Sequence, residues 1–109
     1  MALGTLLRHQ AVAVRKRTAQ MVTEQAYPRA GGALADALKT EEDPGTRMVY
    51  IESLGRLRHK AAFDLLTEIV DSRNQSDELR SAACLALGRL GDVRAVTVLA
   101  KLCIRGDKG

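Results

Sequence analysis

The sequence predicts an all-α protein: an α-solenoid of about three helical hairpins with an extra N-terminal helix, forming a single domain over 1–109. Three observations carry this expectation. The stretch LGRL occurs twice, beginning at Leu54 and at Leu87, 33 residues apart. Around each copy, apolar residues recur at three- and four-residue steps, which is the spacing of one helical stripe. Ala and Leu abound while aromatics are reduced to Phe63, Tyr27 and Tyr50, so the core must be built from aliphatic side chains with good helix propensity. A chain of this length buries about two-thirds of its unfolded surface, enough for one modest core.

The elements follow in order. Residues 1–10 read as an unpaired helix, because Leu3, Leu6 and Leu7 repeat the spacing of Leu99, Leu102 and Cys103. Repeat 1 covers 13–40. Shifting it by 32 places Arg15 on Arg47, Ala19 on Ile51, Val22 on Leu54, Leu34 on Leu66 and Leu38 on Val70, and Tyr27-Pro28 supplies the break between its two helices. Repeat 2 covers 45–71 and repeat 3 covers 77–104, where a shift of 33 places Arg47 on Arg80, Ile51 on Cys84, Leu57 on Leu90, Ala62 on Ala95 and Phe63 on Val96. Exposed letters vary freely while apolar ones are kept, as a shared three-dimensional role requires. In repeat 3 the first helix is expected over about 78–90, on the stripe Leu79, Ala83, Leu87, Leu90. The second is expected over about 93–104, on Ala95, Val98, Leu99, Leu102, Cys103. Gly91 suits a left-handed turn residue, Asp92 a cap for the helix after it, Ser76 or Asp77 a cap for the helix before it, and Pro44 a helix start. Seven helices result. Gly55 and Gly88, at one repeat position inside the first helix, imply close backbone approach between helices, since interior Gly otherwise costs about 1 kcal/mol.

The stretch LRSAACLALGRLGDVRAVTVLAKL (79–102) carries an early Arg, small residues at the next turns, LGD, then spaced Ala and Leu. In this it resembles the short bacterial HEAT repeats, of the HEAT-like type also found in phycobilin lyase subunits. The resemblance covers about residues 13–104. The second copy departs from it by placing Arg58-His59 where the third has Gly91-Asp92, and the first lacks the LG pair. The resemblance implies a scaffold rather than an activity. It also raises an accessory or chaperone subunit of a phycobilin lyase as one alternative function.

Net charge is +4 and the sequence pI is near 9.4, a small basic excess that favours acidic partners mildly. The excess is patterned. The turns inside the hairpins carry Arg29, Arg56, Arg58, His59, Lys60, Arg89 and Arg94, and the loops between hairpins carry Glu41, Glu42, Asp43, Asp71, Asp77 and Glu78, so one edge is expected to be basic and the opposite edge acidic. Helix-dipole complementarity accounts for Asp77, Glu78, Arg56 and Arg89, but not for Lys60 and Arg94, which lie near a helix start. Arg15-Lys16-Arg17 puts three positive charges at another helix start, although Arg15 aligns with Arg47 and Arg80 and so has a structural reading. The candidate partner-binding set is therefore Arg15, Lys16, Arg17, Arg29, Arg56, Arg58, His59, Lys60, Arg89 and Arg94, and Leu3, Leu6 and Leu7 form a candidate end-to-end interface.

No catalytic constellation, cofactor loop or metal spacing is evident: His9 and His59 are followed by Gln and Lys, and no Gly-rich phosphate loop is present. Cys84 and Cys103 sit among apolar neighbours and read as reduced core thiols. No stretch reaches 18 apolar residues and the N-terminus has the wrong charge order for a signal peptide, so a cytoplasmic location away from membranes is expected. The expected function is a non-enzymatic protein-protein interaction scaffold or adaptor that binds another protein through its helical repeat face. The alternative is weak nucleic-acid binding by the basic edge. Self-association through the N-terminal end, or membership of a longer array, would cover the unpaired first helix.

Overall fold

A computed structural model describes residues 11–26 and 29–100. These form six α-helices: α1 (Val12–Glu24), α2 (Ala30–Thr40), α3 (Pro44–Arg56), α4 (Phe63–Asp71), α5 (Asp77–Leu90) and α6 (Arg94–Val98), with a 3-10 turn (Lys60–Ala62) leading into α4. No strand occurs among the described residues, and the fold is an all-α repeat solenoid. The expected helix over 1–10 with Leu3, Leu6 and Leu7, the break at Tyr27-Pro28, and the end of the third hairpin with Cys103 lie outside the described residues.

The first helices of the three hairpins, α1, α3 and α5, pack side by side in one row. The second helices occupy another layer, and each seats chiefly on the first helix of the following hairpin: α2 on α3, and α4 on α5. Each repeat is thus sealed by the next one. Leu34, Ile51, Leu54, Leu66 and Leu87 are fully buried in the continuous core this produces. The predicted stripe of α5 (Leu79, Ala83, Leu87, Leu90) is buried throughout. The sealing also explains where equivalence fails. Phe63 is 7% exposed beneath the following repeat, whereas its counterpart Val96 is 70% exposed.

The two glycines divide along the same line. A methyl group on Gly55 would stand 2.8 Å from the Ala86 Cα and 3.0 Å from its Cβ, so α3 and α5 touch backbone to backbone there. Among the described residues Gly88 meets nothing closer than Leu99 Cδ1 at 4.0 Å, and it is exposed. The expected close approach therefore holds at Gly55 and is corrected at Gly88, where no following first helix stands among the described residues.

Caps set the helix starts. The Asp43 Oδ2 accepts from the Thr46 N–H at 2.9 Å and from its hydroxyl at 2.7 Å, with Pro44 in the first turn of α3. Those two bonds from Thr46 hold the Asp43 carboxyl below its ordinary range. Ser76 caps α5 by accepting from the Leu79 N–H at 3.1 Å, and Asp92 accepts from the Arg94 N–H at 2.9 Å ahead of α6. All three hairpin turns place a left-handed residue at one repeat position: Ala26 (φ 50°), Arg58 (φ 53°) and Gly91 (φ 73°). The expectation at Gly91 is met, and its two non-glycine counterparts adopt the same conformation. Cys84 is half-buried and disulfide-bonded, which corrects the reduced-thiol expectation at that position.

Candidate functional site

Four of the ten basic candidates are engaged by the chain itself. The Arg15 guanidinium donates from Nε and Nη2 to the two carboxylate oxygens of Glu41, at 2.8 and 2.9 Å, and the two side chains are only 14% and 5% exposed. This bidentate pair joins α1 to the loop before α3, and the hydrogen bonding of Arg15 to Glu41 leads in raising the Arg15 pKa. Tyr50, fully buried beside it, has its hydroxyl pushed up to about 12, first by burial and then by the negative charge of Glu41. Lys16 is half-buried and lies along Gly45 at the start of α3: a methyl there would stand 2.7 Å from its Nζ. The His59 ring packs against buried Gly31 of α2, where a methyl would collide with it.

Arg94 is the fourth. Its Nε and Nη2 clasp the Asp92 carboxylate, with Nη2 to Oδ2 at 2.8 Å, and its guanidinium carbon sits 4.1 Å from the centroid of the Phe63 ring. The hydrogen bonds from Arg94 lower the Asp92 carboxyl to about 2. A cation stacked on an aromatic face and tied to a capping carboxylate joins repeat 3 to repeat 2. That supplies the role which the helix dipole could not give to Arg94.

The remaining candidates, Arg17, Arg29, Arg56, Arg58, Lys60 and Arg89, are exposed, and none forms an ion pair with a described residue. Two of them, the repeat-equivalent Arg56 and Arg89, are brought together. They flank a groove of about 190 Å³ between α3 and α5, with Ala82 and Ala86 as small wall residues, Glu52 on one side and Leu85 on the other. The contact at Gly55 holds the two helices close enough to make this furrow. Leu85 is 68% exposed, a large aliphatic side chain on the same groove as the two guanidinium groups. Sequence reading passed over Leu85. The signal was available, because its counterpart 33 residues earlier is Glu52, so repeat 3 carries an apolar residue where repeat 2 carries a charged one.

An exposed apolar residue that shares a groove with two cations can hold an amphipathic segment that carries acidic residues. Among the described residues, no group of three His, Cys, Asp or Glu side chains is arranged to hold a metal ion, and no helix is long and apolar enough to cross a membrane.

No curated protein matches the chain significantly. The sequence pattern of HEAT repeats matches residues 1–77 and again residues 33–108, two overlapping spans that together take in nearly the whole sequence and agree with the hairpin order α1–α2, α3–α4, α5–α6. HEAT repeats commonly serve as protein-interaction scaffolds. The stacked hairpins, the 32–33-residue period and this match identify the chain as a member of the HEAT-repeat family.

Proposed function

We propose that the protein is a non-enzymatic interaction module that holds a partner protein along the α3–α5 face. The observation that carries this reading is the exposed Leu85 on one groove with Arg56 and Arg89. A leucine there contributes nothing to the core, and burying it in a complex removes apolar surface from water. The two guanidinium groups of the groove contribute orientation and on-rate through acidic residues of the partner. The bound segment is accordingly an amphipathic helix or strand with aliphatic anchors and flanking Asp or Glu.

Affinity capture from the source cell with the wild-type protein and with Leu85→Asp and Arg89→Glu tests this. Both substituted positions are on the surface, so the variants should retain the helical circular dichroism of the parent. A partner retained by the wild type and lost from both variants supports the reading, and one held equally by all three proteins refutes it.

A further inference from the structure

The three repeat-equivalent arginines, Arg15, Arg47 and Arg80, do not meet equivalent partners. Arg15 has its Nε and Nη2 edge filled by the Glu41 carboxylate. Arg80 donates from Nε to the Val70 carbonyl at 2.9 Å, with Asp77 4.0 Å from its Nη1. Among the described residues Arg47 finds only a neutral amide: its Nη1 donates to Gln75 Oε1 at 2.7 Å, and its Nε is buried with no acceptor there. An orphaned donor on a charged group is among the less tolerable features of a protein interior.

Arg47 lines a groove of about 320 Å³ where the ends of α2, α3 and α4 meet the loop before α5. Leu38, Leu65 and Ile69 give it apolar walls, and Lys39 adds a second cation whose own partner, Asp36, is exposed and 3.7 Å away. Ser72 and Gln75 contribute polar groups, and Glu68 is the one acidic residue on the lining.

We propose that this groove receives a carboxylate from a bound protein, with the Arg47 guanidinium as its counter-ion. Repeat 1 shows the arrangement completed within the chain, where the same position of the repeat grips a carboxylate through the same edge of the guanidinium. In repeat 2 the chain supplies Gln75 instead, and that edge stays unfilled. A small rotation of the Arg47 side chain presents Nε and Nη2 to an acceptor pressed between the apolar walls. A carboxylate fits better than a phosphate, because the apolar lining and Glu68 disfavour a dianion. The groove shares no lining residue with the α3–α5 groove, so it stands or falls independently of that site.

Nitrogen-15 and proton spectra of the arginine Nε–H groups provide the test, with Arg15 as an internal control already sealed by Glu41. Three probes are titrated: a peptide with one internal glutamate and an amidated end, a glutamate-free peptide with a free C-terminal carboxylate, and inorganic phosphate. Saturable movement of the Arg47 resonance with a peptide, and none of the Arg15 resonance, is expected; whichever peptide acts identifies a side chain or a chain end as the source. Gln75→Glu places a carboxylate within the chain's own reach of Arg47. It should raise the melting temperature by about 2–5 °C and weaken the peptide by about tenfold or more, the value of one bidentate charged contact. Arg47→Lys keeps the charge but loses the fork, and should weaken the peptide by a similar factor. Saturation by phosphate alone, an unmoved Arg47 resonance, or undiminished peptide binding by Gln75→Glu overturns the proposal.

Discussion

Alanine substitution at the two LGRL glycines should move stability in opposite directions. Both replacements remove the entropic cost of an interior helical glycine, a gain of about 1 kcal/mol. At Gly88 nothing among the described residues opposes that gain, because the new methyl group has only Leu99 Cδ1 near it there, at 4.0 Å. Gly88→Ala should therefore stabilise the protein by about 0.5–1 kcal/mol. At Gly55 the methyl meets the Ala86 Cα at 2.8 Å, and a main-chain atom cannot rotate aside. Restoring ordinary contact distance requires α3 and α5 to part by about 0.6 Å along their most tightly packed line. Overpacking of this kind costs about 1–3 kcal/mol, with a rigid obstacle at the upper end. After the propensity gain, Gly55→Ala should lose about 1–2 kcal/mol. Urea denaturation followed by far-ultraviolet circular dichroism measures both, with an unchanged slope confirming that the unfolding transition is the same. If Gly55→Ala were neutral or stabilising, the backbone contact between the rows would be wrong; if Gly88→Ala were as costly as Gly55→Ala, a helix would have to cover the Gly88 side.

Leu54→Ala and Leu87→Ala, both fully buried, should each lose about 2–5 kcal/mol in the same urea assay, and a loss below about 0.5 kcal/mol at both would break the repeat alignment. Arg58→Gly should gain up to about 1 kcal/mol by relieving a side chain held at φ 53°, and no gain would mean that the turn is not left-handed. The Tyr50 hydroxyl, raised from 10.0 to about 12, binds its proton more tightly folded than unfolded. Its contribution is complete below pH 10 and is lost as pH climbs from 10 to about 12, so Tyr50→Phe should make stability less steeply dependent on pH in that window and no other. If the basic edge binds nucleic acid, replacing Arg56, Arg58 and Lys60 together by Ser should reduce the salt slope by about two to three phosphate contacts. The expected result is weak binding without sequence preference, and submicromolar gel-shift binding at physiological salt that the triple substitution abolishes would displace the protein-binding reading.

The period was legible because buried positions tolerate few letters. Leu54 and Leu87 repeat since each fills the same niche between rows, and Ser76 and Pro44 announce helix starts through local chemistry that needs no tertiary context. What escaped the sequence depends on neighbours in space. Gly88 has the same letter as Gly55, yet the letter acquires its meaning only from the helix that follows. Val96 aligns with Phe63 for the same reason and meets the opposite environment. Arg15 offered only a repeat alignment and Arg94 no structural role, because their partners lie 26 residues away in the first case and on a stacked ring of the preceding repeat in the second.

The hairpin turns show which of the basic residues the fold itself engages. Ala26, Arg58 and Gly91 take one backbone conformation although only the last is suited to it, so the packing of the helices on either side imposes the turn, and the local sequence yields. An arginine at that position is an expensive choice for the fold, since glycine would relieve it and alanine is also accommodated in repeat 1. The neighbouring His59 and, one repeat later, Arg94 are drawn into contacts that tie the repeats together. Arg58 remains exposed with Arg56 and Lys60 beside it in sequence, and no ion pair with a described residue holds any of the three. A charge retained at a conformational cost, with no ion pair to a described residue to offset it, is the residue whose loss should separate stability from binding. Arg58→Gly should therefore be more stable than the wild type, and it should bind more weakly to any acidic partner that reaches the edge beside the α3–α5 groove.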